Sequence, residues 1–230
     1  MPSRKRDRPA TEKVHRRKPA QSRSRATAEA IREAFVRLLA KRDYEDVSIR
    51  QVISLAGVGI GSFYEYFSSK DDLAAVCIHL WIKEISTAMR ASIEAARGRP
   101  LQERVQALIL AQTSAPLARP RDWAALFRLE RRMSGMKEFR RMYGRFVRLH
   151  EEALLSGPGW PAGMPTEEPA FAVHAIVYGL ASQKLIVSDG GIDSDALRDT
   201  VCAAAHSYLA TVVPSYARPT SPPPGESFGS

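Results

Sequence analysis

Apolar residues recur at intervals of three and four positions along most of the chain, which is the spacing of amphipathic helices. No segment alternates apolar and polar residues in the way that a half-buried strand does. The segments with helical spacing are residues 24–41, 48–56, 62–67, 69–97, 101–112, 122–133, 136–155, 169–187 and 194–213. The pattern therefore predicts an all-α protein without internal repeats.

The stretch from Ser48 to Leu73 predicts a helix-turn-helix. Ser48 can accept a hydrogen bond from a free backbone N–H at the start of a helix, and Gly57 follows the last residue of that helix's apolar pattern. A glycine-bearing turn then leads into a helix of barely two turns. An element of this size fits the major groove of DNA.

This stretch resembles the DNA-binding motif of the tetracycline-repressor (TetR) family of bacterial transcription regulators. The matching positions are Ser48, Val52, Ala56-Gly57-Val58, Gly61, Tyr64, Tyr66, Phe67, Lys70 and Leu73. Two positions depart from the family pattern: Ile53 stands where a small Ala is usual, and Gly59 stands where a Ser or Thr normally caps the second helix. The resemblance covers the first third of the chain. It implies an N-terminal three-helix DNA-binding domain, followed by a helical ligand-binding and dimerisation domain.

The positive charge of the chain is concentrated at its N-terminus. Residues 1–26 hold ten Lys or Arg and two acidic residues, a net +8 out of the total of +9. A basic segment beside a helix-turn-helix suits attraction to phosphates and release of counterions. For residues before about 20, a solubilising tail is an equal alternative.

Composition and charge divide the chain into four parts. We predict a disordered basic arm at 1–22, the helix-turn-helix domain at 23–70, a helical ligand-binding and dimerisation domain at 71–213, and a disordered proline-rich tail at 214–230. Cys77 and Cys202 lie in apolar helical patterns, which favours free core residues of a protein in a reducing cytoplasm over a disulfide. No apolar run approaches the ~20 residues of a membrane span, so we expect a cytoplasmic protein with no membrane partner.

The family's roles can be carried over to the matching positions. They imply phosphate contacts for Ser48, Tyr64, Tyr66 and Lys70, and a position in the major groove for Arg50, Gly59, Ile60, Ser62 and Phe63. Arg23 and Arg25 precede the first predicted helix and can follow the backbone or enter a minor groove. Phe67 is better explained as a core aromatic residue, whereas Tyr64 can both pack and bind through its hydroxyl.

Aromatic, Met and His residues spread over several helices of the second domain predict an apolar, roomy ligand pocket. The candidates are Trp81, Trp123, Phe127, Met133, Phe139, Met142, Tyr143, Phe146, Phe171, His174 and Tyr178. His150 and His174 each stand alone on a mixed face, which favours core or surface roles over metal binding. The sequence indicates no cofactor.

The sequence favours a homodimeric regulator that binds a palindromic operator in double-stranded DNA and pairs through its last two helices. We expect a repressor that a small apolar or amphipathic effector releases. One alternative is a ligand-independent architectural DNA-binding protein, distinguished by a filled core. A less favoured alternative is an enzyme that uses the helical cavity, but paired carboxylates, a nucleophile motif, a phosphate loop and a metal cluster are all missing from the sequence.

Overall fold

A computed structural model describes residues 18–214 and 216, and within them the chain forms nine helices and no strand. The helices are α1 (Lys18–Leu39), α2 (Ile49–Ala56), α3 (Ile60–Tyr66), α4 (Lys70–Ala96), α5 (Leu101–Ala118), α6 (Pro120–Met133), α7 (Met136–Leu155), α8 (Glu167–Val187) and α9 (Ser194–Val212). The all-α prediction is confirmed. Most of the arm predicted at 1–22 and of the tail predicted at 214–230 lies outside the described residues; residues 18–22 belong to α1.

Two helices extend about six residues beyond the segments predicted from the sequence, and α3, α6 and α8 begin about two residues earlier than predicted. α1 begins at Lys18 rather than near Ser24, and α5 continues through Pro116 to Ala118 instead of ending near Gln112. Pro116 lies in the last turn of α5, where its missing N–H removes a single hydrogen bond from the helix. The hydroxyl of Thr113 donates to the carbonyl of Ile109 in the same segment (2.8 Å).

The helix-turn-helix forms as the sequence predicts. The Ser48 hydroxyl accepts from the Gln51 N–H (3.3 Å), and the Gln51 side chain accepts from the Ser48 N–H (2.8 Å), so the two residues make a capping box. Gly57 ends α2 in the left-handed conformation (φ 68°), and the following Val58 packs against the core.

One continuous hydrophobic cluster runs through both predicted domains. It extends from Ile31 and Phe35 on α1 through α4 to the aromatic residues of α6 and to Leu185 on α8. A second cluster lies among α5, α8 and α9 and includes Ile109, Val177 and Val201. The two parts of the chain therefore share one core instead of being separate bodies joined by a linker.

α8 corrects the expectation that no apolar run approaches the length of a membrane span. By length and composition alone, Glu167–Val187 is long and apolar enough to cross a bilayer, with 39% of its most apolar window buried. Core helices of soluble proteins pass the same test. In this fold α8 packs against α6, α7 and α9.

Arg104 on α5 is almost completely buried and fixes the loop that follows α7. Its guanidinium donates to the carbonyls of Ala153 (2.9 Å), Leu154 (2.8 Å), Gly157 (3.2 Å), Pro158 (2.8 Å) and Arg99 (2.5 Å). Two of these carbonyls belong to the last turn of α7, where a positive charge also favours the helix dipole. One side chain thus satisfies five acceptors.

Replacing Arg104 with Met should lower the free energy of unfolding by about 3 kcal/mol, because buried carbonyls lose a charged donor. Urea denaturation would measure the loss. Arg90→Met, at an exposed site on α4, is the matched control and should change the free energy by less than about 0.5 kcal/mol. An Arg104→Met protein as stable as the parent would contradict the role of Arg104.

Candidate nucleic-acid interface and buried cavity

The turn and α3 present an exposed surface with few polar side chains. Arg50 and Gly59 are exposed, Ile60 projects from the first turn of α3, and Tyr64 is 56% exposed. Gly59 begins α3 without a side-chain cap, and an added Cβ at Gly59 or Gly61 would meet no atom within 4 Å. The start of α3 is therefore open to close approach by another molecule.

The remaining candidates on this surface differ in their accessibility. Ser48 is exposed, and Ser62 and Tyr66 are partly buried. Arg23 and Arg25 are exposed on α1, so they lie within a helix instead of preceding it. These positions remain compatible with the contacts predicted for them.

Phe63 corrects the prediction that it faces the major groove. Its side chain is fully buried, with its ring 5.3 Å from that of Tyr64 and 5.8 Å from that of Phe67. Phe63 and Phe67 are four positions apart and therefore lie on the same face of a helix. The prediction that Phe67 is a core residue is confirmed, and the same spacing places Phe63 in the core.

Lys70 has a structural partner that the sequence did not reveal. Its ammonium donates to the carbonyls of Tyr44 (2.8 Å) and Val47 (2.9 Å) and lies 4.1 Å from the centre of the Tyr44 ring. These bonds tie the start of α4 to the loop between α1 and α2. They explain a lysine at the positive end of a helix dipole without requiring a phosphate.

Two arginines of α6 make a second connection to the DNA-binding region. Arg128 donates to the carbonyl of Leu39 at the end of α1 (3.2 Å) and pairs with Asp189 after α8 (2.8 Å). Arg132 pairs with Glu45 in the loop after α1. α6 therefore connects the end of α8 with the end of α1.

The predicted roomy pocket is corrected to a small cavity of about 20 Å³ where α4, α5, α6, α7 and α8 meet. Five candidates line it, namely Trp81, Phe127, Phe146, His174 and Tyr178. The cavity is small because the rings around it pack on one another. The ring centres of Trp81 and Phe127 are 5.2 Å apart, and the His174 ring stacks on the Phe146 ring with their centres 5.5 Å apart.

The other pocket candidates lie elsewhere. Trp123 is fully buried beside the cavity, and Met133 and Met142 line a separate groove between α4 and α7. Phe139, Tyr143 and Phe171 form a row of rings that leads outward from His174, and Phe171 is 49% exposed. Phe171 is therefore a surface residue, not part of an enclosed pocket.

Gln112 and Thr113 also line the cavity and were not among the sequence candidates. Gln112 links two buried histidines: its side-chain oxygen accepts from His150 Nε2 (2.8 Å), and its nitrogen donates to His174 Nδ1 (3.3 Å). The signal available in the sequence was a polar Gln-Thr pair within the apolar pattern of α5. Among the described residues, His, Cys, Asp and Glu side chains do not gather into a metal-binding group.

A comparison with known protein families matches the N-terminal part of the chain. Residues 31–77 match the sequence profile of the family "Bacterial regulatory proteins, tetR family". The N-terminal part of the chain therefore resembles the DNA-binding domain of the TetR family. The matched residues extend from α1 through the helix-turn-helix into the first turns of α4.

Solved structures of TetR-like regulators share the fold of most of the chain. FadR of Bacillus halodurans aligns with a TM-score of 0.66 at 18% identity, over 78% of this chain and 94% of its own. FadR of Bacillus subtilis, solved with stearoyl-CoA, aligns with a TM-score of 0.60 at 17% identity, over 77% of this chain and 96% of its own. A TetR-like regulator from Rhodococcus sp. RHA1 gives 0.60 at 20%, over 80% and 96%. No curated protein matches the sequence. Identities this low show a common fold only.

Lys70→Met keeps the side-chain stem of Lys70 and removes its charge. It should lower the free energy of unfolding by about 2 kcal/mol, because two loop carbonyls lose a charged donor. Lys83→Met, at an exposed site on the same helix, is the control and should be nearly neutral. Thermal denaturation would measure both. An unchanged stability of the Lys70→Met protein would contradict the structural role of Lys70. If the slope of the logarithm of DNA affinity against the logarithm of salt concentration also fell by about one unit, Lys70 would contact a phosphate as well.

Proposed function

We propose that this protein is a transcriptional regulator of the TetR family, and that it is a dimeric repressor that binds a two-fold operator and is released by a small apolar or amphipathic effector. The observation that carries the proposal is the continuity of α4. This 27-residue helix is tied to the helix-turn-helix by Lys70 and contributes Trp81 to the wall of the buried cavity. A change in the cavity and a change at the DNA surface therefore involve the same helix.

DNA contact by the exposed turn and α3 follows from their chemistry. We assign phosphate contacts to Ser48, Tyr64 and Tyr66, because hydroxyl groups near the ends of short helices can reach the backbone. Arg50 and Ser62 would supply hydrogen bonds to base edges, and Ile60 would pack on thymine methyl groups. Such a surface has few base-reading groups. Arg23 and Arg25 on α1 would add attraction to the backbone.

The outward face of α8 supports pairing of two subunits. Its exposed apolar side chains include Leu180 and Val187, and beside them lie the small residues Ala175 and Gly179. Ala204 of α9 belongs to the same apolar surface. Small residues let two helices approach closely, so α8 and α9 of two copies can pack as a four-helix interface.

Release by an effector requires a link from the cavity to the DNA-binding surface. α4 supplies one link, and the Arg128 contacts with Asp189 and the Leu39 carbonyl supply a second through α6. An effector that favours one arrangement of these helices would change the separation of the two α3 helices, which must match the ~34 Å of successive major grooves. FadR of Bacillus subtilis, solved with stearoyl-CoA, supports ligand binding by a protein of this fold.

The small volume of the cavity favours the alternative, a DNA-binding protein without an effector. At about 20 Å³ the cavity has room for little more than one water molecule. An effector would have to displace a ring of the cavity wall. The two functions are distinguished by whether a cavity ligand changes affinity for the operator.

Selection of bound fragments from random DNA tests the proposal directly. A dimer with one α3 per subunit should enrich a two-fold site whose half-sites are about 10 base pairs apart, centre to centre, or a multiple of that. Sequencing of the enriched pool gives the half-site and its spacing. Enrichment of single half-sites without symmetry would exclude a dimeric operator complex.

Leu180→Glu should raise the dimer dissociation constant at least about tenfold, because it places a charge in an apolar contact. Sedimentation equilibrium would measure the change. Leu110→Glu is a matched control, since Leu110 on α5 is 36% exposed and Leu180 is 37% exposed. Leu110 lies outside the α8–α9 apolar surface, so its variant should remain dimeric. A dimeric Leu180→Glu protein would place the interface on another face.

A further inference from the structure

The cavity at the centre of the second domain contains a hydrogen-bond donor without an acceptor. Because the oxygen of the Gln112 amide faces His150 and its nitrogen faces His174, Nδ1 of His174 is an acceptor and its Nε2 carries the proton. His174 is almost completely buried, and Nε2 has no partner among the described residues. A buried N–H without an acceptor is rare in folded proteins.

The described side chains that line the cavity carry no charge, and the buried carboxyl Glu130 accepts from one of them, the Tyr178 hydroxyl (3.3 Å). The described lining of the cavity consists of Trp81, Ile85, Gln112, Thr113, Pro116, Phe127, Phe146, His174, Val177, Tyr178 and Ala181, none of which is a Lys, Arg, Asp or Glu. Burial lowers the pKa of His174 to about 3 and also lowers the pKa of His150, so both rings are uncharged at pH 7. A carboxylate or phosphate bound here would lose its hydration without gaining a counter-charge.

Trp81 separates this cavity from a larger space. The same residue lines a groove of about 420 Å³ between α1, α4 and α6. The walls of this groove include Val36 of α1 and Leu126 of α6, and its rim carries four acidic and three basic residues, namely Glu29, Glu33, Glu84, Asp122, Arg32, Arg37 and Arg119. The indole N–H of Trp81 has no hydrogen-bond partner in the described part of the chain. Rotation of the indole toward the groove would therefore break no described hydrogen bond, and it would leave the place of the ring in the cavity wall to a ligand.

We propose that the cavity binds an uncharged, mainly apolar ligand with one hydrogen-bond acceptor, which accepts from His174 Nε2 and takes the place of the Trp81 ring. A ketone, ester or amide carbonyl has the required chemistry. The displaced indole would press on α1 beside Val36, at the boundary with the DNA-binding region. This inference rests on the proposed function for its effect on DNA, but the binding site stands without it.

Three planar molecules of nearly equal shape test the class of ligand: acetophenone, α-methylstyrene and benzoate. They carry a neutral acceptor, no acceptor and a charged acceptor on the same ring. By isothermal titration calorimetry, acetophenone should bind the full-length protein about tenfold more tightly than α-methylstyrene, because it alone satisfies the His174 N–H without bringing a charge. Benzoate should bind most weakly.

His174→Phe removes the donor and keeps an aromatic ring beside Phe146. The preference for acetophenone over α-methylstyrene should then fall to about one, while α-methylstyrene still binds. His79→Phe is the matched control, because His79 is exposed on α4 and lines a different groove. It should keep the tenfold preference. Equal affinities in the parent protein, tightest binding of benzoate, or no binding of either neutral probe would each overturn the proposal.

The parent protein alone can falsify the proposal, so the test does not depend on how well the His174→Phe variant folds. It is also separable from the regulatory function. A selected two-fold operator without acetophenone preference would refute the cavity chemistry and leave the repressor proposal standing. Acetophenone preference without any selected operator would do the reverse.

Discussion

α4 is the element on which the rest of the structure depends, because its apolar residues belong to a core that both halves of the chain share. Leu73 and Ala74 at its start and Met89 farther along belong to the same buried cluster as Ile31 of α1 and Trp123 of α6. Protein interiors are close-packed, so a helix held on this scale does not move independently of its neighbours. Lys70 adds a polar anchor at one end of the helix. The helix-turn-helix and the helices that follow it are therefore packed around a shared core.

α6 complements this apolar connection with polar contacts at the molecular surface. Arg128 contacts the end of α1, and Arg132 contacts the loop that follows it. Arg128 also pairs with Asp189, which follows α8. Gly190 follows at a positive φ of 72°, and a Cβ there would lie 2.5 Å from the backbone of Arg121. The turn after α8 is thus fitted closely to the start of α6. Through Arg128, the turn after the proposed dimer helix α8 is connected to the end of α1.

The two proposed sites place opposite demands on side chains. α3 has only seven residues, and the side chains of Phe63 within it and of Phe67 just after it are buried in the core of the protein. Few positions of α3 are therefore left to read bases. The proposed DNA surface would therefore depend on attraction to the DNA backbone and on close approach at Gly59 and Gly61. The cavity, in contrast, keeps the polar Gln112 and His174 inside an aromatic core, where an unsatisfied donor is costly. Cost of this kind is common at functional sites, where stability is exchanged for recognition.

Local patterns in the sequence were sufficient for the order of the helices, the helix-turn-helix and the capping of α2, because these features depend on residues within a few positions of one another. They were not sufficient for the ends of α1 and α5. They also indicated five of the rings that line the cavity. Tertiary structure alone decided that Lys70 binds the Tyr44 and Val47 carbonyls and that Arg104 satisfies five carbonyls. It also decided that the rings nearly fill the cavity and that Gln112 joins two histidines. Each of these contacts joins residues far apart in the chain, and no periodicity records which distant side chains will meet.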